Sequence, residues 1–77
     1  MVREEDISLS AVHRICKKAG AERVSASASL ELAKVLEEVG LKLAQDALEY
    51  MMHAGRRTLK ARYIKTAAKK MSESTRL

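Results

Sequence analysis

Proline, phenylalanine and tryptophan are absent from this chain of 77 residues, and glycine occurs only three times. A typical chain of this length holds roughly four prolines. Sandwiches and barrels turn often, and turns draw on Gly and Pro. The composition therefore favours an all-α fold over an all-β one. Cysteine occurs once, as Cys16, which leaves no internal disulfide and no cysteine-based zinc site. That usage fits a reducing compartment. There is no run of about 18 apolar residues, so no membrane span is expected. The opening Met1-Val2-Arg3-Glu4-Glu5-Asp6 is acidic with no apolar stretch behind it, unlike a signal peptide.

What is present is a small, basic and fairly apolar chain. Hydrophobic residues make up 47%, and 15 Lys+Arg against 10 Asp+Glu give a formal charge of +5. The hydrophobic share is too high for compositional disorder, and the length fits one unit rather than two. A chain this short buries a modest fraction of its surface, so small domains lean on metal, disulfide or a partner. With the first two disfavoured, oligomerisation is the expected source of core.

Apolar periodicity marks three helices. The first carries Val12, Ile15, Cys16 and Ala19 at i, i+3, i+4 and i+7. Ser8 or Ser10 can cap it, and Gly20 stands where a C-terminal glycine stops a helix. The second opens at Ser25 and stops at Gly55, leaving about 28 residues, or roughly 42 Å of helix. Its apolar set runs from Leu30 to Met52 and wraps most of the circumference. Such a helix is buried on several sides, yet this chain supplies only two short helices to cover it. The missing cover is expected from a second chain, as an intertwined dimer. Gly40, mid-helix, fits a close crossing of two long helices, or a tolerated surface glycine. The third helix runs from Leu59 or Lys60 to Met71, with Ile64, Ala67, Ala68 and Met71 in phase. Ser72–Leu77 reads as a polar tail.

Charge is uneven: residues 1–24 carry net +1, residues 25–53 net −3 and residues 54–77 net +7. The cations thus gather around the second loop and third helix. There His53-Ala54-Gly55-Arg56-Arg57-Thr58-Leu59-Lys60-Ala61 releases arginines and a threonine after a glycine turn. Backbone N–H groups and a hydroxyl in such a loop are donors to phosphate oxygens, and arginines can enter a minor groove. A solvated basic loop is the plainer alternative. A second junction, Lys17-Lys18-Ala19-Gly20-Ala21-Glu22-Arg23-Val24-Ser25, opens the long helix, whose N-terminal amides attract phosphate. No nucleophile with its base, no acid/base pair of carboxylates and no glycine-rich phosphate loop stands out, so no enzyme activity is expected. His13, His53 and Cys16 do not converge on a metal, and no cofactor is expected.

Three ordered segments, Ala19-Gly20-Ala21-Glu22-Arg23-Val24-Ser25, Leu32-Ala33-Lys34-Val35-Leu36-Glu37-Glu38 and His53-Ala54-Gly55-Arg56-Arg57-Thr58, resemble those of an archaeal histone. The similarity runs without gaps from about Leu9 to Met71. It implies a histone fold over 9–71, after a short acidic extension at 1–8 and before the tail at 72–77. It implies a handshake dimer of short–long–short chains, in which the first loop of one chain lies beside the second loop of the other. The resemblance also implies largely sequence-nonspecific double-stranded DNA binding, with bending and compaction by homodimers, in a chromosome-associated cytoplasmic protein. Carried over by position, Arg14 and Lys17 belong to a first-helix contact, Arg23 to the first loop, and Arg57, Thr58 and Lys60 to the second loop. Arg14 and Arg23 match arginines directed at the minor groove.

The chain also departs from the family. The prolines usual at the start are replaced by Ile7-Ser8-Leu9-Ser10-Ala11. Glu4, Glu5 and Asp6 precede them, and acids favour a helix start, so the first helix is expected to begin a turn earlier. Two acids usually stand where Arg62-Tyr63 stand here, the second bridging to the arginine matching Arg56. With Tyr63 there, a stacked Arg56–Tyr63 contact is expected instead. That acid also helps dimers join end to end into tetramers or larger assemblies. Tyr50, His53 and Tyr63 map to that dimer–dimer surface, and Leu41, where an arginine can stand, adds a candidate contact. Lys34 and Lys65 match positions that pair opposite charges between stacked turns, so stacking is expected to be weaker. The competing function is a dimerisation module of a transcription-related complex, paired with another histone-fold chain. A membrane-active amphipathic helix is disfavoured by the acidic long helix.

Overall fold

The computed structural model describes residues 7–75 and contains three helices: α1 (Leu9–Lys18), α2 (Ala26–His53) and α3 (Ala61–Thr75). No strand occurs among the described residues. The all-α, short–long–short expectation holds, and α2 has 28 residues. The chain divides into two compact units, Met1–Val39 and Gly40–Leu77.

In the first unit, α1 begins at Leu9 and not a turn earlier. Ser8 sits in extended backbone at ψ 124°, and its hydroxyl accepts the Ala11 N–H at 3.3 Å. A capping hydroxyl thus fixes the start more firmly than upstream acids would. Glu4, Glu5 and Asp6 lie outside the described residues. Ile7 N–H donates to Glu37 Oε1 at 3.1 Å, tying the entry of α1 to α2. Val12 and Ala33 are fully enclosed, while Ile15 is 47% exposed and Cys16 is half-buried and free. The α1 face expected from periodicity is therefore only partly used. The first half of α2 buries Ala33 and Ser29 but leaves Val35 and Val39, one turn apart, largely uncovered.

Both helix exits have one design. After α1, Gly20 N–H donates to Lys17 O at 3.0 Å and Ala21 N–H to Cys16 O at 3.2 Å. After α2, Gly55 N–H donates to Met52 O at 3.0 Å and Arg56 N–H to Met51 O at 3.1 Å. Each pair of bonds satisfies orphan carbonyls of the last turn, and needs one left-handed residue. Gly20 has φ 112° and Gly55 φ 70°. Gly55→Ala is expected to lower stability by about 1 kcal/mol, because a Cβ disfavours left-handed backbone although the space around it is open. Urea unfolding checks this. The start of α2 follows the sequence reading: Ser25 Oγ accepts the Ala28 N–H at 3.1 Å.

In the second unit, α3 starts at Ala61 and continues to Thr75, four residues past the expected end at Met71. Neither Gly nor Pro interrupts Ser72-Glu73-Ser74-Thr75, so the polar tail extends the helix. The packed face is also rotated from the one expected. Tyr63 and Ala67 are buried against Ala47, with Leu43, Tyr50, Met51 and Ile64 packed around them, while Ala68 is exposed. Two alanines face each other across α2 and α3, and the gap their small side chains leave admits a large ring. Outside that cluster, Leu41, Leu48 and Met52 are 62%, 40% and 64% exposed. An exposed Lys42–Asp46 pair at 3.3 Å supports α2 at i, i+4 spacing, an arrangement that contributes little.

Candidate nucleic-acid interface

The first unit presents its cations on α1 and the loop after it. Arg14, Lys17 and Arg23 are all exposed. Lys17 Nζ donates to the backbone oxygen of Glu22, so this side chain closes the loop while keeping its charge at the surface. A groove of about 440 Å³ is lined by Leu9, Ser10, His13, Arg14, Ala26 and Ser29. Arg14 is the one lining residue that the sequence reading marks for binding. The sequence marks Ser10 only as an alternative cap of α1, and Ser29 has no signature beyond being a serine in a helix.

The second unit presents Arg57, Thr58 and Lys60 in the loop between α2 and α3, and all three are exposed. The left-handed turn at Gly55 ends α2 and aims the chain into this loop. Guanidinium, hydroxyl and ammonium groups on a short exposed loop can all donate to phosphate oxygens.

The candidate dimer–dimer residues fall in different settings. Leu41 and His53 are exposed, Tyr50 is half-buried, and Tyr63 is 7% exposed inside the second unit. Tyr50 and His53 line a second groove of about 510 Å³ together with Asp46, Glu49 and Lys70.

The profile of the family described as histone-like transcription factors (CBF/NF-Y) and archaeal histones matches residues 5–68. The chain belongs to this family. It is similar to one of the HAN1 archaeal histone chains of Thermococcus zilligii, with 41% identity over 64 residues, covering 83% of this chain and 96% of that protein. It is also similar to probable archaeal histone 3 of Methanocaldococcus jannaschii, with 44% identity over 54 residues, covering 70% and 81%.

Within this histone-family chain, the expected Arg56–Tyr63 stack is not formed. The guanidinium over the Tyr63 ring belongs to Arg62, with its Cζ 5.8 Å from the centroid. Arg62 is the neighbour of Tyr63 on α3, whereas Arg56 sits in the exposed loop. No helix among the described residues is long and apolar enough to cross a membrane. No group of three or more His, Cys, Asp or Glu among them could hold a metal ion.

Proposed function

We propose that this histone-family chain pairs with a second copy of itself. The pair binds double-stranded DNA through its phosphates, bending and compacting it with little sequence preference. The supporting observation is the coincidence of family membership with six exposed candidate donors: Arg14, Lys17, Arg23, Arg57, Thr58 and Lys60. In the proposed dimer the first loop of one chain stands beside the second loop of the other, so cations from both chains share one edge. Specificity comes from duplex deformability, since wrapping favours flexible steps. The protein then resides on the chromosome, in the cytoplasm, and needs no cofactor.

Arg57→Ala is expected to weaken binding about tenfold on every duplex, the usual effect of removing one charge-assisted hydrogen bond to phosphate. Thr58→Ala has a smaller effect of the same kind. Fluorescence anisotropy with several unrelated duplexes checks both, and a loss confined to one sequence would mean base readout instead.

The family description also covers transcription factors, and Leu41 and Met52 are strongly exposed. Both favour a second reading, a module that pairs with a different histone-fold chain. A chain that folds only when mixed with such a partner supports the module; a stable homodimer that shifts duplex DNA supports packaging.

A further inference from the structure

We infer that the groove lined by Leu9, Ser10, His13, Arg14, Ala26 and Ser29 is a seat for a DNA backbone phosphate, with the Ser29 hydroxyl and the Arg14 guanidinium as its donors. This rests on the DNA-binding reading and adds to it a residue that neither charge nor periodicity marks.

Ser29 carries the inference. It is 6% exposed, yet its hydroxyl makes no hydrogen bond with any described residue; only its backbone N–H is engaged, donating to Ser25 O at 3.2 Å. Among the described residues no side-chain oxygen or nitrogen is both closed to solvent and unpartnered, so the Ser29 Oγ keeps some access to solvent, and Ser29 lines the groove. Such a hydroxyl works against folding. Alanine is the better helix former, and this hydroxyl makes no bond within the protein that would offset the difference. A local choice that forgoes stability points to a role outside folding.

The chemistry of the lining selects the ligand. It offers a guanidinium, an imidazole and two hydroxyls, and no carboxylate. Ala26 is the first residue of α2, at the positive end of a 28-residue helix. The groove in the second unit makes the contrast: two carboxylates, Asp46 and Glu49, line it beside Lys42 and Lys70, and Lys42 is already paired with Asp46.

The test uses the full chain and short mixed-sequence duplexes. Ser29→Ala is expected to keep the helical signal and melt at the same or a higher temperature, while affinity falls about tenfold on every sequence. Ser29→Thr, which keeps the hydroxyl, retains most of the affinity. The losses from Ser29→Ala and Arg14→Ala are coupled in a double-mutant cycle, whereas those from Ser29→Ala and Arg57→Ala add. A Ser29→Ala chain with both lower melting temperature and weaker binding has lost packing, which overturns the phosphate seat. Weakening by Arg57→Ala with none by Ser29→Ala also overturns the seat and leaves the DNA reading standing. Absence of duplex binding by the unaltered chain removes both.

Discussion

Raising the salt from about 50 to about 200 mM is expected to weaken duplex binding by about ten-thousand-fold. Each phosphate neutralised by Lys or Arg releases condensed counterions, and the log–log slope is about −0.9 per neutralised phosphate. If a dimer neutralises about eight phosphates, the slope is roughly −7. The formal charge of +5 per chain, gathered as net +7 over residues 54–77, supplies the cations. Arg14, Lys17, Arg23, Arg57 and Lys60 are all exposed, so each can exchange counterions for phosphate. Anisotropy titrations across a salt series read the slope directly. A slope near zero would remove phosphate binding as the main mode. Arg57→Ala should flatten the line by about one for each arginine–phosphate pairing it abolishes, while Thr58→Ala, which removes no charge, should shift it without changing its slope.

The second large effect concerns pairing. Val39→Asp is expected to lower stability by about 3 kcal/mol or more, with loss of helical signal at low micromolar concentration. In a lone chain this side chain is 43% exposed and the same change would cost little. Under the proposed handshake, Val35 and Val39 meet the partner's long helix, and the new carboxylate is buried without a counterion. Gln45→Asp, exposed on the same helix, is the control and should change stability by no more than about 0.5 kcal/mol. The unaltered chain should melt at a temperature that rises with its own concentration, as a folded dimer does. A concentration-independent transition from a well-folded single chain would remove the paired edge and the reading built on it.

The physical basis for expecting a twin is the poverty of each unit's core. Among the described residues the buried apolar set is Val12, Ala33, Ala47, Tyr63 and Ala67. Three of these are alanines, with little apolar area to remove from water. Val35, Val39, Leu41, Leu48 and Met52 of α2, which could supply more, are exposed.

How much of this can be read from the residues differs from element to element. Ser25 and Gly55 bracket α2 because their chemistry acts locally: a hydroxyl caps its own turn, and a glycine reverses its own backbone. Arg57, Thr58 and Lys60 are legible for the same reason, as closely spaced donors just beyond a glycine stop. The packed face of α3 is not. Ile64, Ala67, Ala68 and Met71 satisfy the helical period as well as Tyr63 and Ala67 do. What decides between them is Ala47 on another helix, which makes room for a ring. Ser29 is hidden too, since it lies in the run Ala26-Ser27-Ala28-Ser29, where nothing in the pattern separates a buried hydroxyl from exposed ones. The acids before α1 mislead about its start because they act through a weak, screened dipole term, while Ser8 makes a direct bond.

Under the proposed function, the enclosure of Tyr63 bears on how a long duplex would be covered. If the chain coats DNA as proposed, a ring absorbed into the protein's own interior offers little to a neighbour on the next stretch of the double helix, which leaves that contact to Leu41, Tyr50 and His53; without it, dimers would bind one by one. Particles that arrive independently leave bare intervals between them. A polymer decorated that way softens at scattered points, and its compaction tracks how much protein is made rather than how far a single continuous row has grown.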